Sequence, residues 1–287
     1  MYPGKMRYFC CGGALILICM LMTGCGIKTT MRASQSMLNE NPMKKVTLLS
    51  GGKINWPGFR GKMCIRQSDS LKAVEVMLGL TQNELSVRGY DVVVAEAVGI
   101  GFQSMDWWLL PEAAEGDTQE EQIVQVTNEK PIYICPRFKG ETSYQQAVVT
   151  LYDQMEHAFH KGSIDQFMPD PALVATIAEA TGADTICLNR VSGAKYTKGR
   201  KIGTAILSAL FTVGGSGASD AVGSYYVFID ARTGQVLWQH GHFTLDDPLA
   251  PNGNFIQYAF KYLPQAGQPF DGTLCEKSEK QGYITCK

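Results

Sequence analysis

The stretch 45–95 constrains the fold more than any other part of the chain. Residues 45–50 form a β-branched and apolar run, residues 70–87 carry apolar side chains at helical spacing, and residues 90–95 form a second β-branched run. Gly89 stands where a helix would end, and glycine is the usual residue at that position. A strand, a helix and a strand in this order predict an α/β (α+β) fold, with a mixed sheet packed by helices.

Later segments predict the same class. Apolar residues at helical spacing over 143–160 predict an amphipathic helix. Asp170 followed by Pro171 gives the acidic N-cap and first-turn proline that favour a second helix, and a strand over 185–192 follows it. The clearest hairpin in the chain flanks an Ala-Arg-Thr-Gly turn with two strands, 225–230 and 235–243. Weaker signals predict a Gly- and Pro-rich loop, two short strands, a last helix and a C-terminal loop, at 53–62, 122–126, 132–135, 255–263 and 264–287 respectively.

The N-terminus has the form of an export signal. Lys5 and Arg7 precede an apolar run, 14–22, that is shorter than the about 20 apolar residues of a spanning helix. The Thr-Gly-Cys sequence that follows resembles the cleavage site of bacterial lipoproteins. The resemblance implies cleavage before Cys25 and lipid modification of its thiol, and Gly26, which stands where Asp would favour the inner membrane, implies the outer membrane. An uncleaved anchor is the alternative.

These signals divide the chain into a signal peptide, 1–24, a lipidated tether, 25–43, and a single compact domain, 44–287. The tether is predicted because residues 26–42 are largely polar and lack apolar periodicity. Loss of the signal removes two bases and no acid, which takes the formal net charge from -1 to -3. A small negative net charge argues against nucleic acid as a partner.

The nine cysteines show no Cys-x-x-Cys motif. Outside the cytoplasm the environment permits disulfides, and Cys275 with Cys286 could close a loop near the C-terminus. Cys64 with Cys135 is the next pair to consider. Cys187 lies in an apolar run, where we expect it to behave as a small buried hydrophobe.

Two motifs and the last predicted helix carry a family resemblance. A helix ends in Gly-Ala-Asp at 182–184, a hairpin contains Asp-x-x-Thr-Gly-x-x-x-Trp at 230–238, and a helix covers 255–264. In this order they resemble the periplasmic α/β lipoprotein group that includes the curli secretion channel lipoprotein and the penicillin-binding-protein activator lipoprotein. The resemblance implies an α/β body used for binding and assembly, without an enzymatic active site or a cofactor. The stretch 96–143 is longer and more irregular than the corresponding stretch in the pattern of that group.

A basic run, 195–201, followed by an apolar run, 202–213, is the main candidate for a contact segment. This combination is typical of a segment that touches a membrane or a partner, and it is too short to span a bilayer. A helix packed on the sheet and followed by a Gly-rich loop is the alternative. The candidate contact residues are Lys198, Arg200, Lys201, Ile206, Leu207, Leu210 and Phe211.

Four histidines offer a metal hypothesis. His157 and His160 lie i, i+3 on a predicted helix, and His240 and His242 lie i, i+2 on a predicted strand, so each pair shares a face. The pairs could form a zinc site if helix and strand packed together. Neither pair has a cysteine or carboxylate at zinc-motif spacing, and the sequence contains neither Gly-x-Ser-x-Gly nor a phosphate-binding loop.

Three functional hypotheses follow. The preferred one is an outer-membrane-anchored lipoprotein that faces the periplasm and acts by contact with an envelope protein in assembly or regulation. The second is a subunit of an oligomeric lipoprotein secretion channel, which predicts a homo-oligomer and membrane contact by 195–223. The third is a metal-dependent periplasmic enzyme built on the histidines.

Overall fold

A computed structural model describes residues 31–40, 42–57, 63–100, 107–109, 124–126, 133–135, 137–138, 140–196, 220–270, 278–280 and 283–286. Its helices are α1 (Gln35–Glu40), α2 (Gln67–Val87), α3 (Thr142–His160), α4 (Pro171–Thr181) and α5 (Asn254–Ala259). Its strands are β1 (Met31–Ala33), β2 (Lys45–Pro57), β3 (Met63–Ile65), β4 (Asp91–Ile100), β5 (Trp107–Leu109), β6 (Val124–Val126), β7 (Tyr133–Ile134), β8 (Thr185–Ala194), β9 (Ala221–Asp230), β10 (Val236–Thr244), β11 (Ser278–Lys280) and β12 (Tyr283–Cys286).

The described strands form one mixed sheet. Its order is β11-β12-β1-β10-β9-β8-β2-β3-β5-β6, with β4 paired to β2 and β7 paired to β4. β2 pairs in parallel with both β4 and β8, whereas β9, β10 and β1 continue the sheet from β8 in antiparallel fashion. We call the end of the sheet where β2, β4 and β8 finish, at Pro57, Ile100 and Ala194, the carboxyl end. The opposite end, where these strands begin, is the amino end.

Helices cover both faces of the sheet. Val46 and Leu48 of β2 pack into one buried cluster with side chains from α2 and α5, while Leu49 packs into a second cluster with α3 and α4. The alternation follows from the period of two in a strand. The result is a three-layer α/β body, a single compact domain with a mixed sheet packed by helices, as predicted.

The predicted start and stop signals of the helices are confirmed. The Asp170 carboxylate accepts the backbone N–H of Ala172 at 2.9 Å, and Pro171 occupies the first turn of α4. That helix ends at Gly182, whose φ of 70° is the left-handed conformation that glycine tolerates best. The parallel pairing of β2 with β4 across α2 confirms the predicted strand, helix, strand unit.

The prediction of a tether up to residue 43 is wrong for the residues from 31 onward. β1 pairs with β10 and β12, and Met31, Ala33 and Leu38 lie in the buried core with exposures of 0–1%. A three-residue strand and a six-residue helix are too short to show apolar periodicity in sequence. The folded body therefore begins before residue 44. Residues 25–30 lie outside the described part of the chain.

Three other expectations differ from the structure. β2 continues through 53–57, a stretch predicted as loop, because β8 pairs with it as far as Asn55. The C-terminal segment predicted as loop contains β11 and β12. α5 ends at Ala259, which is short of the predicted end at residue 263. In each case pairing or packing across the fold overrides a local signal.

Candidate functional site

Several chain segments meet at the carboxyl end of the sheet. β8 ends and β9 begins there, with Ala194 paired to Ala221, and β10 reaches the same end at Thr244. β1 runs antiparallel to β10, with Arg32 opposite Gln239. Met31, the first residue of β1, is therefore the residue of that strand nearest the carboxyl end, where Ala194 of β8 and Ala221 of β9 also lie.

Polar contacts fix both ends of that connection. The backbone N–H of Tyr196 donates to the Asp220 carboxylate at 2.9 Å, and the Lys195 ammonium lies 3.3 Å from the Asp247 carboxylate. Leu245, which is 64% exposed, follows directly after β10. The predicted contact residues Lys198, Arg200, Lys201, Ile206, Leu207, Leu210 and Phe211 all belong to this connection and lie outside the described residues.

A buried ion pair attaches the last turns of α3 to β8 near the carboxyl end. Glu156 accepts two hydrogen bonds from the Arg190 guanidinium, at 2.6 Å from Nε and 3.2 Å from Nη2. The same guanidinium lies 4.4 Å from the ring centroid of Phe159. Both ionic side chains are largely buried, at 5% and 14% exposure, which strengthens the geometric restraint that the pair imposes.

Lys53 completes this charged cluster from β2. Burial lowers the pKa of its ammonium to about 7, the Glu156 carboxylate opposes that shift, and the Arg190 guanidinium adds to it. Lys53 is only 6% exposed. The cluster is thus a buried attachment between helix and sheet that changes charge near neutral pH.

Two tyrosines of α3 reinforce the same attachment. The Tyr152 hydroxyl lies 2.7 Å from the Leu49 carbonyl oxygen and 3.0 Å from that of Asn189, and the Tyr144 hydroxyl donates to Glu96 at 2.7 Å. Burial raises the pKa of both phenols, so both remain neutral donors. These groups are hydrogen-bonded within the fold, which suits a structural role.

A second polar feature lies at the amino end, as a cavity of about 250 Å³. The Asp184 carboxylate accepts the backbone N–H of Lys45 at 3.1 Å and the hydroxyl of Thr185 at 2.8 Å. Asp230, paired opposite Thr185 in the sheet, accepts the backbone N–H of Arg232 at 2.9 Å through Oδ1. The cavity is lined by Pro42, Met43, Lys44, Asp184, Thr185, Asp230, Arg232 and Leu237.

The structure does not bring His157 together with His240 and His242. His157 lies on α3, exposed, over one face of the sheet. His240 bonds through Nδ1 to the Ala259 carbonyl on the other face, and His242 stacks on Tyr258 there. Among the described residues, no three His, Cys, Asp or Glu side chains are grouped so that they could hold a metal ion.

The cysteine expectations have mixed outcomes. No disulfide joins Cys64 to Cys135, and both thiols are buried. Burial raises the pKa of the Cys187 thiol, which lies in the core as predicted. Cys286 belongs to β12, whereas Cys275 and the lipidation candidate Cys25 lie outside the described residues, so the disulfide and the lipid anchor remain predictions.

Sequence reasoning misses both polar features of the fold. Lys53 falls in a predicted loop, although it continues the alternation of Leu49 and Gly51 on one face of β2. Asp184 and Asp230 are visible in the sequence only as a helix end and a turn residue, and the pairing of β8 with β9 is what brings them to one cavity.

Two solved structures are distant neighbours of this chain. The crystal structure of lipoprotein GNA1162 from Neisseria meningitidis aligns with a TM-score of 0.27 and 12% identity, over 76% of this chain and 91% of that one. The LpoB C-terminal domain from Salmonella enterica aligns with a TM-score of 0.26 and 11% identity, over 75% and 96% respectively. No protein-family model and no curated protein matches the sequence.

GNA1162 is a bacterial lipoprotein by name. The TM-scores are too low to support conclusions about this chain, and neither neighbour's name links it to curli secretion. Within the described residues, no helix is both long and apolar enough to cross a membrane.

Proposed function

We propose that this protein is a lipid-anchored envelope protein that acts by protein contact in assembly or regulation. In this proposal the carboxyl end of its sheet faces the outer membrane. The observation that carries the proposal is the direction of β1, which brings the chain from Cys25 into the fold from the same end that holds the connection 197–219. A lipid on Cys25 and the basic and apolar residues of 198–211 would then lie on one side of the molecule.

The short distance between Cys25 and β1 supports this orientation. Five residues separate Cys25 from Met31, and the six Cα–Cα steps between the two span at most about 20 Å when fully extended. Met31 lies level with His240, and Thr244 is four residues further toward the carboxyl end, a distance of about 13 Å. A lipid on Cys25 would therefore hold the carboxyl end within roughly 10 Å of the bilayer surface.

Two variants, a substitution of Cys25 and an insertion before β1, test the anchor and the orientation separately. We expect Cys25→Ser to release the protein from the membrane fraction. An insertion of about a dozen Gly and Ser residues between Thr29 and Thr30 should leave the protein membrane-bound and lower its cross-linking to partners. The reason is that the longer segment no longer holds the folded domain close to the membrane. Unchanged membrane binding of Cys25→Ser would contradict the anchor, and unchanged cross-linking after the insertion would contradict the orientation.

Site-specific photo-cross-linking tests the contact surface. A photoreactive residue at Leu207 should capture an envelope protein in intact cells. The matched control is Val87, an apolar residue that is 73% exposed and ends α2 at the amino end of the sheet. Equal capture from both positions, or capture from Val87 alone, would contradict a contact surface at the carboxyl end.

The secretion-channel hypothesis remains a second candidate because both ends of 197–219 emerge side by side from paired strands at the proposed membrane side. It predicts a ring, so the detergent-extracted protein should elute from a sizing column many times larger than a monomer. A monomeric elution would exclude it and leave the preferred function standing. We do not propose the metal-dependent enzyme, because α3, which carries His157, packs on the face of the sheet opposite to α5, which contacts His240 and His242.

A further inference from the structure

The Asp230 carboxylate is buried and only partly satisfied. The residue is 2% exposed, and its Oδ1 accepts the backbone N–H of Arg232. Within the described part of the chain, Oδ2 has no hydrogen-bond partner. Leaving a buried carboxylate oxygen without a donor is unfavourable, so a donor that reached it would gain more than one meeting a hydrated carboxylate.

We propose that the cavity at the amino end binds a primary ammonium group carried on an alkyl stem, with Asp230 Oδ2 as the acceptor. An ammonium supplies both the missing hydrogen bond and the opposite charge, and charge-assisted bonds of this kind are the strongest available to a carboxylate. This inference is independent of the lipid anchor and of the contact surface at the carboxyl end.

The remaining lining of the cavity fits such a ligand. Asp184 adds a second carboxylate, and the Lys45 N–H and the Thr185 hydroxyl hold it in place. Pro42, Met43 and Leu237 provide apolar surface for the methylene stem. The volume of about 250 Å³ is sufficient for one lysine-sized side chain.

Arg232 is the competing cation of the protein itself. Its Nε lies 3.5 Å from Asp230 Oδ1, and its side chain is 61% exposed. An ion pair of that length and exposure is weak, so the guanidinium can move aside at low cost. We therefore infer that Arg232 covers the site when no ligand is bound and competes with the ligand for Asp230.

Two sources could supply the ammonium, namely a lysine side chain of a partner protein or a free diamine. Titration calorimetry with Nα-acetyl-lysine methylamide and with cadaverine distinguishes them, and Nα-acetyl-norleucine methylamide serves as the ligand that lacks the ammonium. We expect a dissociation constant on the order of 1 mM for the lysine amide, with the other two ligands binding more weakly. Tighter binding of cadaverine would keep the ammonium site and assign it to a free diamine.

Three variants test the assigned residues. Asp230→Asn keeps an oxygen for the Arg232 N–H but removes the charge, and it should weaken binding at least about tenfold. Asp170→Asn is the matched control, because Asp170 also accepts the N–H two residues ahead and lies outside the cavity lining. It should bind as the unmodified protein does. Arg232→Ala should strengthen binding by removing the competing cation.

Three results would overturn the proposal. No detectable binding of either amine to the unmodified protein at concentrations on the order of 10 mM would refute the site. Equal binding of the norleucine amide would show that the ammonium is not recognised. Full binding by Asp230→Asn, with its fold verified by circular dichroism, would show that Asp230 is not the acceptor.

Discussion

Lys53 departs furthest from the usual preference of its residue type. Lysine is among the residues least often found fully buried, yet this side chain is 6% exposed. Its neighbours Glu156 and Arg190 form an ion pair with each other, so the ammonium adds a second positive charge to a group that already contains one of each sign. The cost of that charge is reflected in the lowered pKa.

We predict that Lys53→Met removes a pH dependence from the stability of the fold. The unfolded chain keeps the ordinary pKa of 10.5, and burial lowers the pKa of the folded state to about 7. Between these values the unfolded chain binds more protons, so the free energy of unfolding should fall as the pH drops from 10.5 to 7 and be level below 7. Thermal denaturation from pH 6 to pH 10 measures this slope.

In the Lys53→Met variant the slope should be flatter, and the melting temperature at pH 7 should be higher by roughly 5 °C, since a methionine of similar length fills the space without a charge. Lys45→Met, which alters an exposed lysine at the start of β2, should keep the slope of the unmodified protein. Parallel curves for the protein and the Lys53→Met variant would show that Lys53 is not the titrating group.

Among the elements, the long helices are the most predictable from sequence and the short strands the least. α2, α3 and α4 each run for three turns or more, and their apolar spacing is a local signal, as are the Asp170 N-cap and the Gly182 stop of α4. β1, β11 and β12 have three or four residues each and exist because they pair with one another or with β10. Pairing partners distant in sequence leave no local signal, which is why these strands and the cavity beside Asp230 could not be predicted.

Gly52 shows how an element can depend on one residue. Its φ is 149°, and a Cβ at this position would lie 1.9 Å from the carbonyl oxygen of Val191 in β8. The sequence predicts a strand over 45–50 and a loop over 53–62, whereas in the structure β2 runs from Lys45 to Pro57 and Gly52 allows a close approach of two strands inside the sheet.

We predict that Gly52→Ala destabilises the fold by about 3 kcal/mol or more, because it combines an unfavourable φ with a clash against backbone. Gly79→Ala is the matched control. Nothing lies within 4 Å of a Cβ at Gly79, which is inside α2, so this change should stabilise the protein by about 0.5–1 kcal/mol. Urea denaturation of both variants measures the difference, and a Gly52→Ala variant as stable as the unmodified protein would contradict the close approach of β2 to β8.

At the scale of the whole molecule, β1 and α1 are part of the folded body rather than a flexible tether attached to it. Met31 and Leu38 lie in the same buried cluster as Trp238 and Phe260. Each fully buried side chain of this size contributes about 1.5–3 kcal/mol. The residues next to the predicted lipid are therefore needed for folding as well as for location.

We predict that a chain beginning at residue 44 folds poorly, whereas one beginning at residue 26 folds normally. Loss of the residues before 44 removes four core side chains, those of Met31, Ala33, Leu38 and Met43, and uncovers one edge of β10. The melting temperature of the shorter chain should be lower by about 10 °C or more. Equal melting temperatures for the two chains, measured by circular dichroism, would restore the predicted boundary at residue 44.

The hairpin of β8 and β9 has a consequence for how this protein can vary. The strands pair without interruption from Thr185 opposite Asp230 to Ala194 opposite Ala221, so the hairpin is closed before residues 197–219 begin. Doubling the length of such a connection costs only about 0.6 kcal/mol in chain entropy. The length and composition of the chain between residues 196 and 220 can therefore diverge while the pairing of β8 with β9 stays the same. A foreign epitope could be inserted at this place for the same reason.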